Sequence, residues 1–483
     1  MIYALYAELN DSNIKSNLGR PQYSYYFLLK SFRRVFGNLG KVKIVEDPAT
    51  QVDKLYLESR SRGEDCLFIC FTPPHLAPTD LRCPTLCLFA WEFSTIPCES
   101  WDGNPANDWR WVFSHHVGVI TTSSHTADVV RAAMTEHSRT TPVLSIPAPT
   151  WDDFAPLREN DPLSHLHRGS TIAAPGHLQD SSTIEFDLHN LLPRYFVTPK
   201  TWTPSTSEQM TISNPADEPS DKLSIIRKHL VNWYRDISGQ SSKQVPSQAS
   251  MPAPLNSFEA DEFVEVKIQG VVYTTILNPE DGRKCHIDLI TAFVWAFRDN
   301  PDATLIMKMT QQDADSYRLS LNHTLHQLFP FKCRIVLFNG YLLTEQYLQL
   351  INATTFYVNT SHCEGLCIPL MEFLSSGKPV IAPKHTAMED YIDADVAFVI
   401  ETYRETNVWP HDPRGRYTTE RHRNNWETIV ENYKHSFEIA TRQQDVYRRM
   451  SANAIQRMKK FCSIAAIENQ LKTFLHDELG MKL

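Results

Sequence analysis

The sequence predicts an α/β protein built from two doubly wound, Rossmann-like parallel sheets with an irregular segment inserted between them. Three observations carry this. Short, continuously apolar runs such as CLFICF at 66–71 and RIVLF at 334–338 suit strands buried on both faces. Helix-spaced segments alternate with such runs in two blocks, before about residue 155 and after about residue 263. Between the blocks the pattern breaks into proline- and serine-rich sequence, as in SGQSSKQVPSQASMPAPL.

The first block, 1–155, opens with the strand IYALYA and a polar loop, NDSNIKSNLGRP, that holds Gly19. YSYYFLLKSFRRVFG has helical spacing and ends at a glycine. KVKIVED, CLFICF, PTLCLFAWEF and HVGVITTSS follow as strands, the last feeding the helix HTADVVRAAM. Ligands collect at the carboxyl ends of such strands, and His75, Glu92 and the Ser123–Ser124 pair all fall there. Residues 156–262 read as insertion and interdomain connection, interrupted by one amphipathic helix, DKLSIIRKHLVNWYRDI. The second block, 263–425, alternates VVYTTI, the loop NPEDGRK, the helix HIDLITAFVWAF, and the strands ATLIMKM, RIVLF, TTFYV and PVIA. Ile287, Ile290, Val294 and Phe297 share one helix face, and Thr344 is placed to cap TEQYLQLI. Residues 426–483 are mostly helical, and RGRYTTERHRNNW reads as a solvated approach to them.

Composition narrows the function. A formal net charge of -9 argues against a nucleic-acid binder. No apolar run reaches the roughly 18 residues a membrane helix needs, and the N-terminus turns polar too soon for a signal peptide. Ten cysteines without a disulfide-framework pattern fit a reduced, cytoplasmic setting. Cys66, Cys70, Cys83 and Cys87 sit in strand-like runs and read as buried thiols rather than zinc ligands.

The stretch SHCEGLCIPLMEF, at 361–373, concentrates the chemistry. Pro369 suits a helix start, and Gly377 a helix end two turns later. The loop before Pro369 then offers free N–H groups to an anion, and Gly365 lets the backbone come close. Dipole compensation accounts for a carboxylate such as Glu372 in the first turn. It does not account for Glu364 in the loop. Sugar hydroxyls account for both, one glutamate gripping a ribose and the other a hexose, with diphosphate on the helix start between them.

At these residues EGLCIPLME, followed by SSGKPVIAP, resembles the signature of glycosyltransferase family 4, which has the GT-B fold of two domains facing each other across a cleft. The resemblance covers most of 263–400 and continues more weakly through AWEFSTIP and VITTSS. It implies transfer from a nucleoside diphosphate sugar with retention of anomeric configuration. Glu364 would meet the donor sugar, the Gly365, Leu366 and Cys367 amides the phosphate, and Glu372 the ribose. Cys367 stands where the family usually has a second glycine. Family members take cations from the loop after the first strand of the second domain, often as R-x4-K. Lys284 matches the lysine; Asn278 and Pro279 occupy the arginine's place, and the adjacent Arg283 is its substitute, although neighbouring side chains on a helix start diverge. Gly19 falls where the family keeps a glycine-rich loop near the diphosphate. Glu92 falls where many members carry an active-site histidine, with His75 as its rival. No acidic metal cluster is evident, so no metal or cofactor beyond the co-substrate is expected. The implied acceptor is a glycan or lipid-linked saccharide, in polysaccharide synthesis, and a lipid-linked one would bring peripheral contact with the inner face of the membrane. The rival readings are a nucleotide-sugar epimerase of the same fold and a non-catalytic nucleotide-sugar binding module.

Overall fold

In the computed structural model, residues 1–17, 22–135, 141–159, 161–183, 263–310, 314–410, 412 and 414–481 are described. Both sheets lie in one unit, Met1–Leu191 with Glu262–Leu483. Gly19 and the segment DKLSIIRKHLVNWYRDI lie outside the described residues.

The first sheet has the order β2-β1-β3-β4-β5-β6, from β1 (Ile2–Tyr6), β2 (Lys41–Ile44), β3 (Cys66–Phe71), β4 (Thr85–Phe89), β5 (Gly118–Thr121) and β6 (Val143–Ser145), all parallel. Its crossovers are α1 (Tyr23–Leu39), α2 (Pro48–Ser61), α3 (Trp109–Ser114) and α4 (Ser124–Met134). β3 and β4 are buried along their whole length, as their unbroken apolar sequence requires. Cys66, Cys70, Cys83 and Cys87 are free and buried among these strands.

After α5 (Ser164–Arg168), the strands β7 (Ser170–Pro175), β8 (His177–Asp180) and β9 (Phe263–Ile268) precede the central β10 (Val271–Leu277). The remaining elements are α6 (His286–Phe297), β11 (Ala303–Met309), α7 (Ala314–Leu328), β12 (Arg334–Asn339), α8 (Thr344–Ala353), β13 (Phe356–Val358), α9 (Ile368–Ser375), β14 (Val380–Pro383) and β15 (Ala397–Ile400). The second sheet runs β15-β14-β13-β10-β11-β12-β8, parallel except for the antiparallel edge strand β8. The connection expected over 156–262 thus places two strands in this half: β8 edges the sheet, and β7 pairs with β9 in a ribbon that buries Ile172 and Val266. These strands are short and weakly apolar, and their burial comes from the sheet they join.

Three local expectations are corrected. Ile287 is exposed, so the buried face of α6 is Leu289, Ile290, Phe293, Val294 and Phe297. Thr344 does not cap α8 but is its first residue, and Gln346 reaches back instead to accept from the Leu343 N–H at 2.8 Å. RGRYTTERHRNNW is no helix approach: β16 (Thr402–Val408) and β17 (Thr418–Asn424) form an antiparallel hairpin. The terminal helices α10 (Trp426–Arg442), α11 (Gln444–Cys462) and α12 (Ile464–Thr473) return to the first domain, where the Ile464 N–H donates to Asp152 at 2.7 Å and Asn38 donates to Glu468 at 3.1 Å.

Candidate active site

The loop after β10 is built to deliver two cations. Asn278 turns it by accepting from the Glu280 N–H at 3.0 Å, and Asp281 accepts from the Arg283 N–H at 3.3 Å to start a single tight turn, Gly282–Lys284. Cys285 then adopts left-handed backbone, φ 49°, and redirects the chain into α6. The expected divergence of Arg283 and Lys284 does not occur. They reach the two oxygens of one carboxylate: Lys284 Nζ lies 2.5 Å from Glu364 Oε1, and Arg283 Nη1 lies 3.4 Å from Oε2. Arg283 also donates to the Cys363 carbonyl at 2.9 Å and pairs with Asp281 at 2.8 Å.

Glu364 sits in the loop between β13 and α9, only 3% exposed. The Asn359 amide donates to its Oε1 at 3.3 Å. Its N–H donates to Thr386 Oγ1 at 3.0 Å, and its carbonyl accepts from the Ala387 N–H at 3.2 Å. The next two carbonyls are also taken, Gly365 by the Thr122 hydroxyl and Leu366 by the Tyr391 hydroxyl, each at 2.8 Å. With these carbonyls turned to the scaffold, the N–H groups of Gly365, Leu366 and Cys367 have no acceptor among the described residues. They precede α9, whose start carries partial positive charge.

Burial alone would neutralise these groups, but their mutual attraction outweighs it. Burial pushes Glu364 up, yet Lys284 and Arg283 bring it down to about 2. Burial likewise works against the charges of Arg283 and Lys284; Glu92, Glu364 and Asp281 raise the first, and Glu364 chiefly raises the second. The site is a fixed charge pattern in which two cations share the buried Glu364 carboxylate and Arg283 also meets Asp281 and Glu92.

The first domain meets this pattern directly. Glu92, just beyond β4, approaches Arg283 Nε at 3.4 Å. A Cβ on Gly365 would lie 2.9 Å from the Trp91 backbone nitrogen and 3.1 Å from Ala90 Cβ, so this glycine admits the facing domain's backbone. Ser124 donates its N–H to Asp390 at 2.9 Å across the same junction. His75 instead lies exposed in the turn after β3, its ring parallel to that of Trp109 at 6.2 Å. Trp91, Trp101 and Trp109 join an aromatic cluster with Trp409, centroids 4.5–6.3 Å apart.

Glu372 lies in α9 and takes a hydrogen bond from the Tyr347 hydroxyl of α8. Burial pushes its carboxyl up to about 7, against the effect of that hydrogen bond. Cys367 is held at φ 62° and accepts from the Asn359 amide at 3.0 Å. A left-handed non-glycine residue costs roughly 1–2 kcal/mol. Sequence reasoning missed Asn359, Thr386, Asp281 and Tyr347. Asn359 had a signal, standing at the end of TTFYV beside the motif; the others are placed by tertiary contacts.

No protein-family model matches the sequence, and no curated protein matches it. Solved structures do. A glycosyltransferase from Rickettsia africae ESF-5 matches with a TM-score of 0.50 at 10% identity, over 100% of this chain and 99% of that one. Anabaena Alr3699/HepE in complex with UDP and glucose matches at 0.46 and 12% identity, over 99% of both chains. TarM from S. aureus matches at 0.45 and 10% identity, over 87% of this chain and 56% of that one. At such identities the likeness bears on the fold. The fold is GT-B. Among the described residues no helix is long and apolar enough to cross a membrane.

Proposed function

We propose that the protein is a retaining glycosyltransferase of the family 4 type, moving a sugar from a nucleoside diphosphate sugar to a hydroxyl of a glycan or lipid-linked saccharide. The observation that carries this reading is the buried junction of Glu364 with Lys284 and Arg283, beside the unengaged amides of Gly365, Leu366 and Cys367. In this reading the amides and the two cations receive the diphosphate, Glu364 accepts from hydroxyls of the donor sugar, and Glu372 grips the ribose. The bond from the anomeric carbon to the diphosphate oxygen breaks, its electron pair leaving on the diphosphate. The acceptor oxygen bonds to the same face of that carbon. Glu92 orients the acceptor hydroxyl and takes its proton, favoured over His75 by its approach to Arg283. Lys284 and Arg283, rather than a resident metal, balance charge growing on the leaving group. Free cysteines agree with a cytoplasmic setting.

The test is to incubate the protein with uridine, guanosine and adenosine diphosphate sugars and follow release of nucleoside diphosphate and the anomeric configuration of the product. Release that requires Lys284, with retained configuration, supports the reading. Free sugar released by epimerisation, or nucleotide binding without turnover of any donor, rejects it.

A further inference from the structure

Cys66, Cys70, Cys83 and Cys87 take no part in the candidate site, yet the first sheet sets them against one another. β3 pairs with β4 in parallel register, Cys70 opposite Cys87 and Phe68 opposite Thr85. The Phe68 N–H donates to the Pro84 carbonyl at 2.9 Å, so the pairing continues back and sets Cys66 opposite Cys83. Residues facing each other on neighbouring strands lie about 4.8 Å apart, within the roughly 4.4–6.8 Å between Cα atoms that a disulfide spans.

The two facing pairs differ in where their sulfurs point. Cys66 Sγ and Cys83 Sγ lie 3.9 Å apart. In the other pair Thr72 engages both sulfurs: Cys70 Sγ is hydrogen-bonded to its Oγ1 at 3.0 Å, and Cys87 donates to its carbonyl at 3.7 Å. The pairs also differ in access. Cys70 and Cys87 lie inside the core, whereas the buried Cys66 and Cys83 stand at the amino edge of the sheet, each next to an exposed residue, Asp65 and Arg82. The Cys83 thiol donates toward the Cys66 sulfur. That hydrogen bond, with one from Ser59, lowers the Cys66 pKa against the effect of burial, and it raises that of Cys83. Oxidation of a cysteine follows its thiolate character, so Cys66 is the nucleophile and Cys83 the thiol that resolves it.

We propose that Cys66 and Cys83 form a redox modification site that takes a small hydroperoxide and closes into a disulfide between β3 and β4. The Cys66 thiolate attacks one peroxide oxygen. The S–O bond forms as the O–O bond breaks, and the leaving hydroxide takes up the Cys66 proton to become water. The Cys83 sulfur then attacks the sulfenic sulfur. The S–S bond forms as the S–O bond breaks, and the hydroxyl leaves as water with the Cys83 proton. Two thiols lose two electrons, and one hydrogen peroxide becomes two waters. Transient disulfides of this kind belong to reducing compartments. The bond would tie the amino ends of two central strands, whereas Glu92 lies beyond the carboxyl end of β4, so the proposal does not rest on the transferase reading.

The experiment treats the full-length, fully reduced protein with hydrogen peroxide, alkylates the remaining thiols under denaturing conditions and maps the peptides by mass spectrometry. The expected result is one link, Cys66 to Cys83, with two fewer alkylated thiols and full reversal by dithiothreitol. The Tm of the linked protein is expected to rise by about 3 °C or more, because the bond closes the loop between the two strands in the unfolded chain. Cys83→Ser is expected to lose the link and to leave Cys66 as a sulfenic acid that dimedone traps, while Cys87→Ser keeps the link. Absence of the link in wild type, a link between Cys70 and Cys87 in its place, or a Tm that does not rise on oxidation would each overturn the proposal.

Discussion

Replacing Glu364 by Gln keeps the shape of the side chain and removes the charge that holds Lys284 and Arg283. The magnitude follows from the carboxyl's titration, held at about 2 rather than its ordinary 4.5. A difference of that size amounts to about 3 kcal/mol at pH 7, and the side chain is too buried for solvent to screen much of it. The variant also takes from Lys284 its carboxylate partner, while Arg283 keeps Asp281 and Glu92, and breaking a buried pair typically costs about 3–5 kcal/mol. The expected loss at pH 7 is therefore about 3–5 kcal/mol. The sign with pH is fixed, because a depressed carboxyl stabilises the fold above its unfolded value and loses that contribution as pH falls toward its folded one. The gap between wild type and variant should be full above pH 4.5 and shrink toward pH 2. Urea unfolding followed by tryptophan fluorescence at pH 7, 5 and 3 measures it. A loss below about 0.5 kcal/mol at pH 7, or a gap that does not change between pH 5 and pH 3, would refute the reasoning.

Other expectations follow from the same geometry. Lys284→Ala and Arg283→Ala should each lower kcat by about 10²–10³, since both contact the same carboxylate; a silent substitution at either, measured by steady-state donor turnover, would remove that residue from the leaving-group site. Glu372→Ala should raise the donor KM with little change in kcat, because a ribose contact serves ground and transition states alike; calorimetry with the bare nucleoside diphosphate showing unchanged affinity would reject the ribose role. Burial holds the Glu372 carboxyl up at about 7, so wild-type nucleotide affinity should rise between pH 6 and pH 8 as it ionises, and the rise should be smaller in Glu372→Ala, where only the ligand's terminal phosphate titrates in that window. Ser94 and Thr419 hydroxyls lie 3.2 Å apart between the first domain and the β16–β17 hairpin, so Ser94→Cys with Thr419→Cys should form a disulfide that blocks opening. Transfer should be lost on oxidation and recovered on reduction, whereas full activity of the oxidised protein would show that the hairpin need not part from the first domain.

The sheets were legible because their strands are buried on both faces and therefore unbroken in apolar sequence, as in CLFICF and RIVLF. The motif loop was legible because Pro369 and the left-handed Gly377, φ 81°, mark the two ends of α9. The hairpin was not. TYRETNV and TTERHRN carry no apolar alternation, and the hairpin is held by contacts far away in sequence: Thr419 on Ser94, the Tyr417 hydroxyl accepting from the Cys98 N–H at 3.0 Å, and Arg414 paired with Glu99 at 2.8 Å. The meeting of Arg283 with Lys284 was hidden for a different reason. It follows a tight turn that ends at a left-handed cysteine, a conformation that residue type does not announce. Gly365 was read as room for a ligand; the structure gives it a second reason, the approach of Ala90 and Trp91.

The central claim is that the junction of Glu364, Lys284 and Arg283 is where a nucleoside diphosphate sugar loses its sugar. Thermal unfolding with uridine, guanosine and adenosine diphosphates tests it most directly, because a ligand at a hundred times its Kd adds about 2.7 kcal/mol to the folded state. The account predicts that at least one diphosphate raises the wild-type Tm, that its nucleoside monophosphate does so less, and that Lys284→Ala abolishes most of the difference. No shift with any diphosphate, or an undiminished shift in folded Lys284→Ala, would contradict it.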